Sequence, residues 1–163
     1  MRECTTHAAN PRFVIFVSYG NDSVALIQWA HEQTLQEVAV VFTDTGWAAD
    51  GWTSRVDKCE DWVRSLGFTP YRTKSIGFRQ LARDKKGFPT QRYQWCSNIL
   101  KIEPGRRWLD QHDPDCRAVC IIGVRREESE DRADFPEWTL RSENHGGRIL
   151  RRSRLSQPMT GTR

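Results

Sequence analysis

The chain has 163 residues and a mass of 19.0 kDa, the size of one domain with one core. Charged residues make up 28% and apolar ones 37%, with a mean hydropathy of −0.70, so no run approaches the roughly 20 apolar residues of a spanning helix. Basic residues outnumber acidic ones 25 to 21, but Arg148, Arg151, Arg152, Arg154 and Arg163 carry +5 in an acid-free final stretch, which leaves the chain before them at −1. This divides the chain into a domain, 1–147, and a basic C-terminal tail, 148–163. The tail reads either as a solvated end or as a contact to nucleic acid. Met1 to His7 contain no apolar segment of the secretory kind, so the expected location is the cytoplasm, with no membrane partner.

In chain order, Phe13 to Val17 is a continuous apolar, β-rich run that predicts a buried strand, followed by the loop Ser18 to Asn21. From Asp22 to about Gln33 the spacing of Ala25, Leu26, Trp29 and Ala30 predicts a helix, with Asn21 or Asp22 as its cap. Glu37 to Thr43 predicts a second buried strand ending at Asp44-Thr-Gly46, and Thr53 to Leu66 a second helix stopped by Gly67. A weaker strand is expected over Thr69 to Thr73 and a short helix over Phe78 to Lys85. Pro104 suits the first turn of a helix reaching about Gln111, and Ala118 to Ile122 is another apolar strand. Strands apolar at every position, alternating with helices, predict a doubly wound α/β domain with a parallel sheet covered on both faces. Ligands of such sheets bind beyond the carboxyl ends of the strands, where strand order reverses. The loops to inspect are therefore 18–23, 44–46 and 123–132.

Five cysteines, an odd number, argue against a disulfide framework, and the scattered His7, His31, His112 and His145 lack zinc-finger spacing. Among seven tryptophans, Trp29, Trp62 and Trp108 fall at helical core spacing. Trp47, Trp52 and Trp95 lie near the expected crevice, where they suit either the wall of a ligand pocket or a subunit contact.

Ser18-Tyr-Gly-Asn-Asp-Ser23 joins a strand to a helix N-terminus, where unpaired amides and the positive end of the helix dipole favour an anion. Gly20 permits close approach, and Ser18 and Ser23 offer hydroxyls. Asp22 can hold a Mg²⁺ that accompanies phosphates, unless it serves only as the helix cap of an ordinary turn. The charged run Arg125 to Arg132 reads as a surface loop unless its place after a buried strand brings it to the ligand.

These residues resemble a known family. Ser18 to Ser23 is similar to the S-G-G-x-D-S pyrophosphate loop of the adenine nucleotide alpha-hydrolase superfamily, and Thr43-Asp-Thr-Gly46 to the D-T-G of its phosphoadenosine phosphosulfate (PAPS) reductase branch. Trp95-Cys96 with Lys101-Ile-Glu-Pro104 resembles that branch's cysteine, lysine and proline segment, and Gly123-Val-Arg-Arg-Glu-Glu-Ser129 with Arg132 resembles its G-x-R-x-x-E-S-x-x-R. The resemblance implies a parallel sheet of order 3-2-1-4-5. It also implies an ATP or PAPS-like nucleotide held by Ser18, Tyr19, Gly20, Asn21, Asp22 and Ser23, with adenine and ribose against Phe42, Thr43, Asp44, Thr45 and Gly46. Lys101 and Arg125 would stabilise the phosphates or the leaving group, Glu128 would orient Arg125 or Arg132, and Ser129 would donate to the ligand.

Two departures accompany the matches. Tyr19 stands where the family loop has its first glycine, which requires a negative φ there and a ring turned away from the phosphates. No cysteine follows Cys120, so the family's C-terminal Glu-Cys-Gly-Ile-His thiol has no counterpart, and no iron–sulfur cluster is expected. The function implied is ATP-dependent adenylyl transfer with Mg²⁺ and pyrophosphate release to an unidentified acceptor. Alternatives are sulfonucleotide reduction using Cys96 or a thiol from another polypeptide, and a non-catalytic nucleotide-binding or regulatory subunit. A homodimer or partner protein would complete the acceptor site.

Overall fold

Phe13–Val17 and Val38–Asp44 form β1 and β2, parallel and paired from Phe13 opposite Val38 to Val17 opposite Phe42. In this computed structural model residues 11–90, 95–124 and 134–154 are described. Helix α1 (Asn21–Glu32) links the two strands. Helix α2 (Trp52–Ser65) leads to β3 (Thr69–Lys74), which pairs parallel to β2. Next come α3 (Phe78–Asp84), a short α4 (Trp95–Ser97), a π-helical turn (Asn98–Ile102) and α5 (Glu103–His112), with Pro104 in its first turn as expected. Strand β4 (Val119–Val124) pairs parallel to β1 on the side away from β2. Strand order therefore reverses between β1 and β4.

Side chains alternate across the sheet and separate its two faces. Ile15, Val40 and Ile121 pack with Leu26, Ile27, Val56 and Val63 of α1 and α2, while Val14, Val41, Cys120 and Leu150 pack with Trp108 and Leu109 of α5. Trp29 and Trp62 are partly buried against the first cluster. This is the doubly wound α/β arrangement that the sequence predicts.

The far edge corrects the expected order. Trp138–Ser142 (β5) and Arg148–Arg154 (β6) are both strands, and the six strands run β3-β2-β1-β4-β6-β5. Strand β6 lies parallel to β4, and β5 adds antiparallel at the edge. The boundary drawn at Arg148 is corrected with it, because residues 148–154 belong to the sheet rather than to a solvated tail. Arg148 is 1% exposed, Arg151 lies between the rings of Trp29 and Trp138 at 4.7 and 4.9 Å, and Arg152 donates to the Pro136 carbonyl and the Thr139 hydroxyl at 2.9 and 2.8 Å. Residues beyond 154 lie outside the described set.

Arg148 explains how so basic a segment can pair inside a domain. Its Nε donates to Asp113 Oδ2 at 2.6 Å, and its other nitrogens donate to the carbonyls of Leu109, His145 and Asp113. Asp113, also 1% exposed, further accepts the amides of Arg117 and Ala118 at 2.9 and 3.1 Å. Removing one partner leaves the other charge buried and uncompensated. Arg148→Ala is expected to lose about 3–5 kcal/mol of stability in urea unfolding. Arg117→Ala, whose side chain is exposed, is expected to unfold within about 0.5 kcal/mol of wild type.

Candidate functional site

Three βα loops converge at the carboxyl ends of the strands around a cavity of about 660 Å³. Phe16, Val17, Ser18, Asp22 and Ser23 line it from the first loop, Phe42 to Thr45 with Trp47 and Trp52 from the second, and Ile122 and Gly123 from the end of β4. It sits where strand order reverses, the position an open α/β sheet reserves for ligands.

The first loop is held by its own side chains. The Ser18 amide donates to Ser23 Oγ at 3.0 Å, the two serine hydroxyls lie 3.3 Å apart, and the Gly20 amide reaches Ser18 Oγ at 3.4 Å. Gly20, not Asn21 or Asp22, is the N-cap of α1, and among the described residues no side-chain cap hydrogen bond is made there. Asn21 and Asp22 lie inside the first turn. Arg55, reaching over from α2, donates from Nε to the Tyr19 carbonyl at 2.7 Å and from a terminal nitrogen to Asn21 Oδ1 at 3.3 Å.

Tyr19 departs from the expectation in one respect and meets it in another. Its φ is +57°, in the left-handed region that a glycine tolerates at least cost, where a negative value was expected. The ring does turn away from the loop: it is fully buried in the core and packs 5.6 Å from the Phe42 ring. Burial of the side chain outweighs the backbone strain, because about 1–2 kcal/mol of left-handed penalty competes with the larger gain from an aromatic core residue. The Tyr19 hydroxyl has no hydrogen-bond partner among the described residues, and burial pushes its pKa up.

The second loop is fixed to the third strand. Asp44 Oδ1 accepts the Gly46 amide at 2.8 Å, Ser75 Oγ donates to the Asp44 carbonyl at 3.1 Å, and the Phe78 amide donates to the Thr45 carbonyl at 2.8 Å. Gly46 has φ +64°, and a Cβ on it would stand 3.4 Å from the Gly77 backbone. Thr43 and Thr73 share a hydroxyl contact at 2.8 Å.

Positive charge comes from the π-helical turn and α5, since both Lys101 and Arg106 line the cavity. Close seating of this helix depends on Gly105, where a Cβ would lie 2.9 Å from the Phe16 ring. Of the expected site residues, Ser18, Asp22, Ser23, Phe42, Thr43, Asp44, Thr45 and Lys101 line the cavity, whereas Tyr19, Gly20, Asn21 and Gly46 do not. Arg125, Glu128, Ser129 and Arg132 lie outside the described residues. Trp47 and Trp52 line the cavity, whereas Trp95 stacks on Phe78 with ring centroids 6.0 Å apart.

Sequence reasoning missed Arg55, Arg106, Asn144 and His145. The basic pair Arg106-Arg107 beside Pro104-Gly105 was a usable signal for Arg106. His145 had none, because it reaches the site through the hairpin hidden in the arginine-rich segment. Its Nδ1 lies 2.8 Å from Ser142 Oγ and its ring 5.5 Å from Phe16. Burial, and then Arg152 and Arg148, push its pKa down to about 4.

Two outcomes follow from these environments. Tyr19→Phe is expected to match or exceed wild-type stability by about 1 kcal/mol, since it removes an unpaired buried hydroxyl, whereas Tyr19→Gly is expected to lose about 3 kcal/mol; thermal unfolding distinguishes them. His145 is neutral when folded and titrates near 6.5 when unfolded. Its contribution to stability is therefore intact above that pH and falls, at up to about 1.4 kcal/mol per pH unit, as pH drops from 6.5 towards 4. The difference between wild type and His145→Gln in urea midpoints across this range isolates that slope.

Residues 12–155 match the family model of the phosphoadenosine phosphosulfate reductase domain. An uncharacterized protein of Methanocaldococcus jannaschii is 30% identical over 123 residues, which is 76% of this chain and 24% of that protein. A second uncharacterized protein of the same organism is 27% identical over 122 residues, 74% of this chain and 28% of its own length. The chain thus spans about a quarter of the length of the curated relatives it matches.

Proposed function

The chain belongs to the phosphoadenosine phosphosulfate reductase domain family, and from that membership we propose that its cavity binds ATP or a related adenine nucleotide and supports adenylyl transfer. The family supports nucleotide binding; the reaction is our own reading. The observation that carries it is the meeting, in one cavity, of an uncapped helix N-terminus flanked by two serines with Lys101 and Arg106 from another element. Helix amides and fixed cations placed where negative charge develops are what phosphoryl chemistry asks of a protein.

In this reading the amides and hydroxyls of 18–23 hold the phosphates. The second loop and Trp47 or Trp52 wall the base, and Lys101 and Arg106 neutralise the leaving group, with Arg125 as a further candidate. An acceptor oxygen forms a bond to the α-phosphorus while the α–β bridging bond breaks. Pyrophosphate leaves with that electron pair, and a hydroxyl acceptor releases its proton to solvent.

Asp22 fits a supporting role for Mg²⁺, since this ion is ordinarily held by one or two carboxylates together with substrate phosphates. Among the described residues no group of three or more His, Cys, Asp or Glu side chains is placed to hold a metal by itself. A bound Mg²⁺ would supply charge neutralisation at the phosphates.

No cysteine of the described residues lines the cavity, which favours adenylyl transfer over displacement by a thiol of this chain. The described residues also contain no helix long and apolar enough to cross a membrane.

Calorimetry with ATP and Mg²⁺ is expected to show saturable binding that weakens about tenfold or more in Lys101→Ala, the cost of a lost charge-assisted contact. Pyrophosphate release in the presence of the acceptor is expected to fall further in the same variant. Absence of heat at millimolar adenine nucleotide, or equal affinity in Lys101→Ala and wild type, overturns the reading.

A further inference from the structure

The cavity does not end at its own wall. Trp47, which lines it, is 54% exposed and lies 4.8 Å from the Phe78 ring. Phe78 in turn lies 5.9 Å from Phe88, itself 72% exposed, and 6.0 Å from Trp95. Phe78 stacks on Trp95 with their planes 29° apart, whereas its planes with Trp47 and Phe88 are tilted by 37° and 38°. The Arg79 guanidinium sits 5.6 Å over the Trp47 ring.

The same segment is strongly basic. Between Lys74 and Phe88 the exposed cations Lys74, Arg79, Arg83, Lys85 and Lys86 face a single acid, Asp84. The protein thus presents an aromatic cluster centred on Phe78, with the exposed rings of Trp47 and Phe88 at its surface, on a segment rich in exposed cations and next to the cavity.

We propose that this platform binds a single-stranded polynucleotide, and that the acceptor in the proposed transfer is a group on that strand. The inference rests on the nucleotide reading of the cavity for the second half of this statement, but not for the first. Bases can stack on the outward parts of Trp47 and Phe88, and their phosphates bring negative charge to the exposed lysines and arginines.

Charge decides among occupants. A second copy docking the same face would bring five cations against five, which opposes self-association. A lipid surface would satisfy the charge, but it brings no planar groups to stack on the exposed rings of Trp47 and Phe88. The arginine-rich end of the chain does not compete for this role in its described part, because the side chains of Arg148, Arg151 and Arg152 are engaged within the domain.

Fluorescence anisotropy with labelled thymidine and uridine dodecamers tests the platform, at about 100 mM salt so that counter-ion release does not mask stacking. Wild type is expected to bind at least one of them. Phe88→Ala, a truncation of an exposed ring, and the double variant Lys85→Glu/Lys86→Glu are each expected to weaken binding about tenfold. Only the charge variant should flatten the salt dependence.

ATP calorimetry on Phe88→Ala is run alongside, because Phe88 does not line the cavity, and wild-type affinity there shows the fold intact. No binding of either dodecamer, or equal binding by wild type and both variants, overturns the proposal. Co-sedimentation of the protein with phosphatidylserine vesicles, lost in Phe88→Ala while neither dodecamer binds, overturns it in favour of a membrane surface. If the dodecamers bind through Phe88 but ATP gives no heat, the platform stands and the nucleotide reading of the cavity fails.

Discussion

Asp113 and Arg148 meet in the interior where the end of α5, the approach to β4 and the start of β6 come together. Two charges out of water are tolerable only when their hydrogen-bonding capacity is nearly filled, and here backbone amides and carbonyls fill it. The consequence reaches the cavity from two directions. Helix α5 continues the turn that carries Lys101 and itself carries Arg106, while the turn joining β5 to β6 carries Asn144 and His145. One buried ion pair thus sets the relative placement of two walls that are about forty residues apart in the chain.

Around that frame the cavity has an internal division of labour. Leu26, Val41 and Ile122 give an apolar floor, the start of α1 supplies amide donors, and Lys101 and Arg106 supply full charges from across the sheet. Fixed dipoles and charges set in an apolar surround act on a ligand with little solvent screening. The carboxylates of Asp22 and Asp44 line the same space, so its field is mixed rather than uniformly positive. Such a mixture suits a ligand that brings both anionic and hydrogen-bonding parts.

Much of this was legible from the chain alone, and for a physical reason. Strands buried on both faces must be apolar at every position, so Phe13 to Val17, Val38 to Val41 and Val119 to Ile122 announce themselves, and residues at the ends of these strands and in the turns after the first two line the cavity. Strand β6 gave no such signal. Its buried position 148 is an arginine satisfied by tertiary partners, and Arg151 is covered by two indole rings, so composition pointed to solvent where the structure has a sheet. The π-helical turn was equally hidden, because a single widened turn leaves no periodicity to read. Arg55 escaped for a third reason: its contacts are to main-chain and side-chain oxygens more than thirty residues away, which no local pattern encodes.

Tyr19 ties the first loop to the packing of the whole molecule. Its backbone belongs to the loop, its ring belongs to the core beside Phe42, and its carbonyl is gripped by Arg55. A flexible glycine in that place would let the loop sample many shapes and settle only when a ligand arrived. With a tyrosine anchor, reshaping the loop means withdrawing an aromatic ring from a close-packed interior, so the loop waits in a single form. The association step then loses little conformational entropy, and selectivity falls to the rigid outline of the receptor rather than to its capacity to adapt.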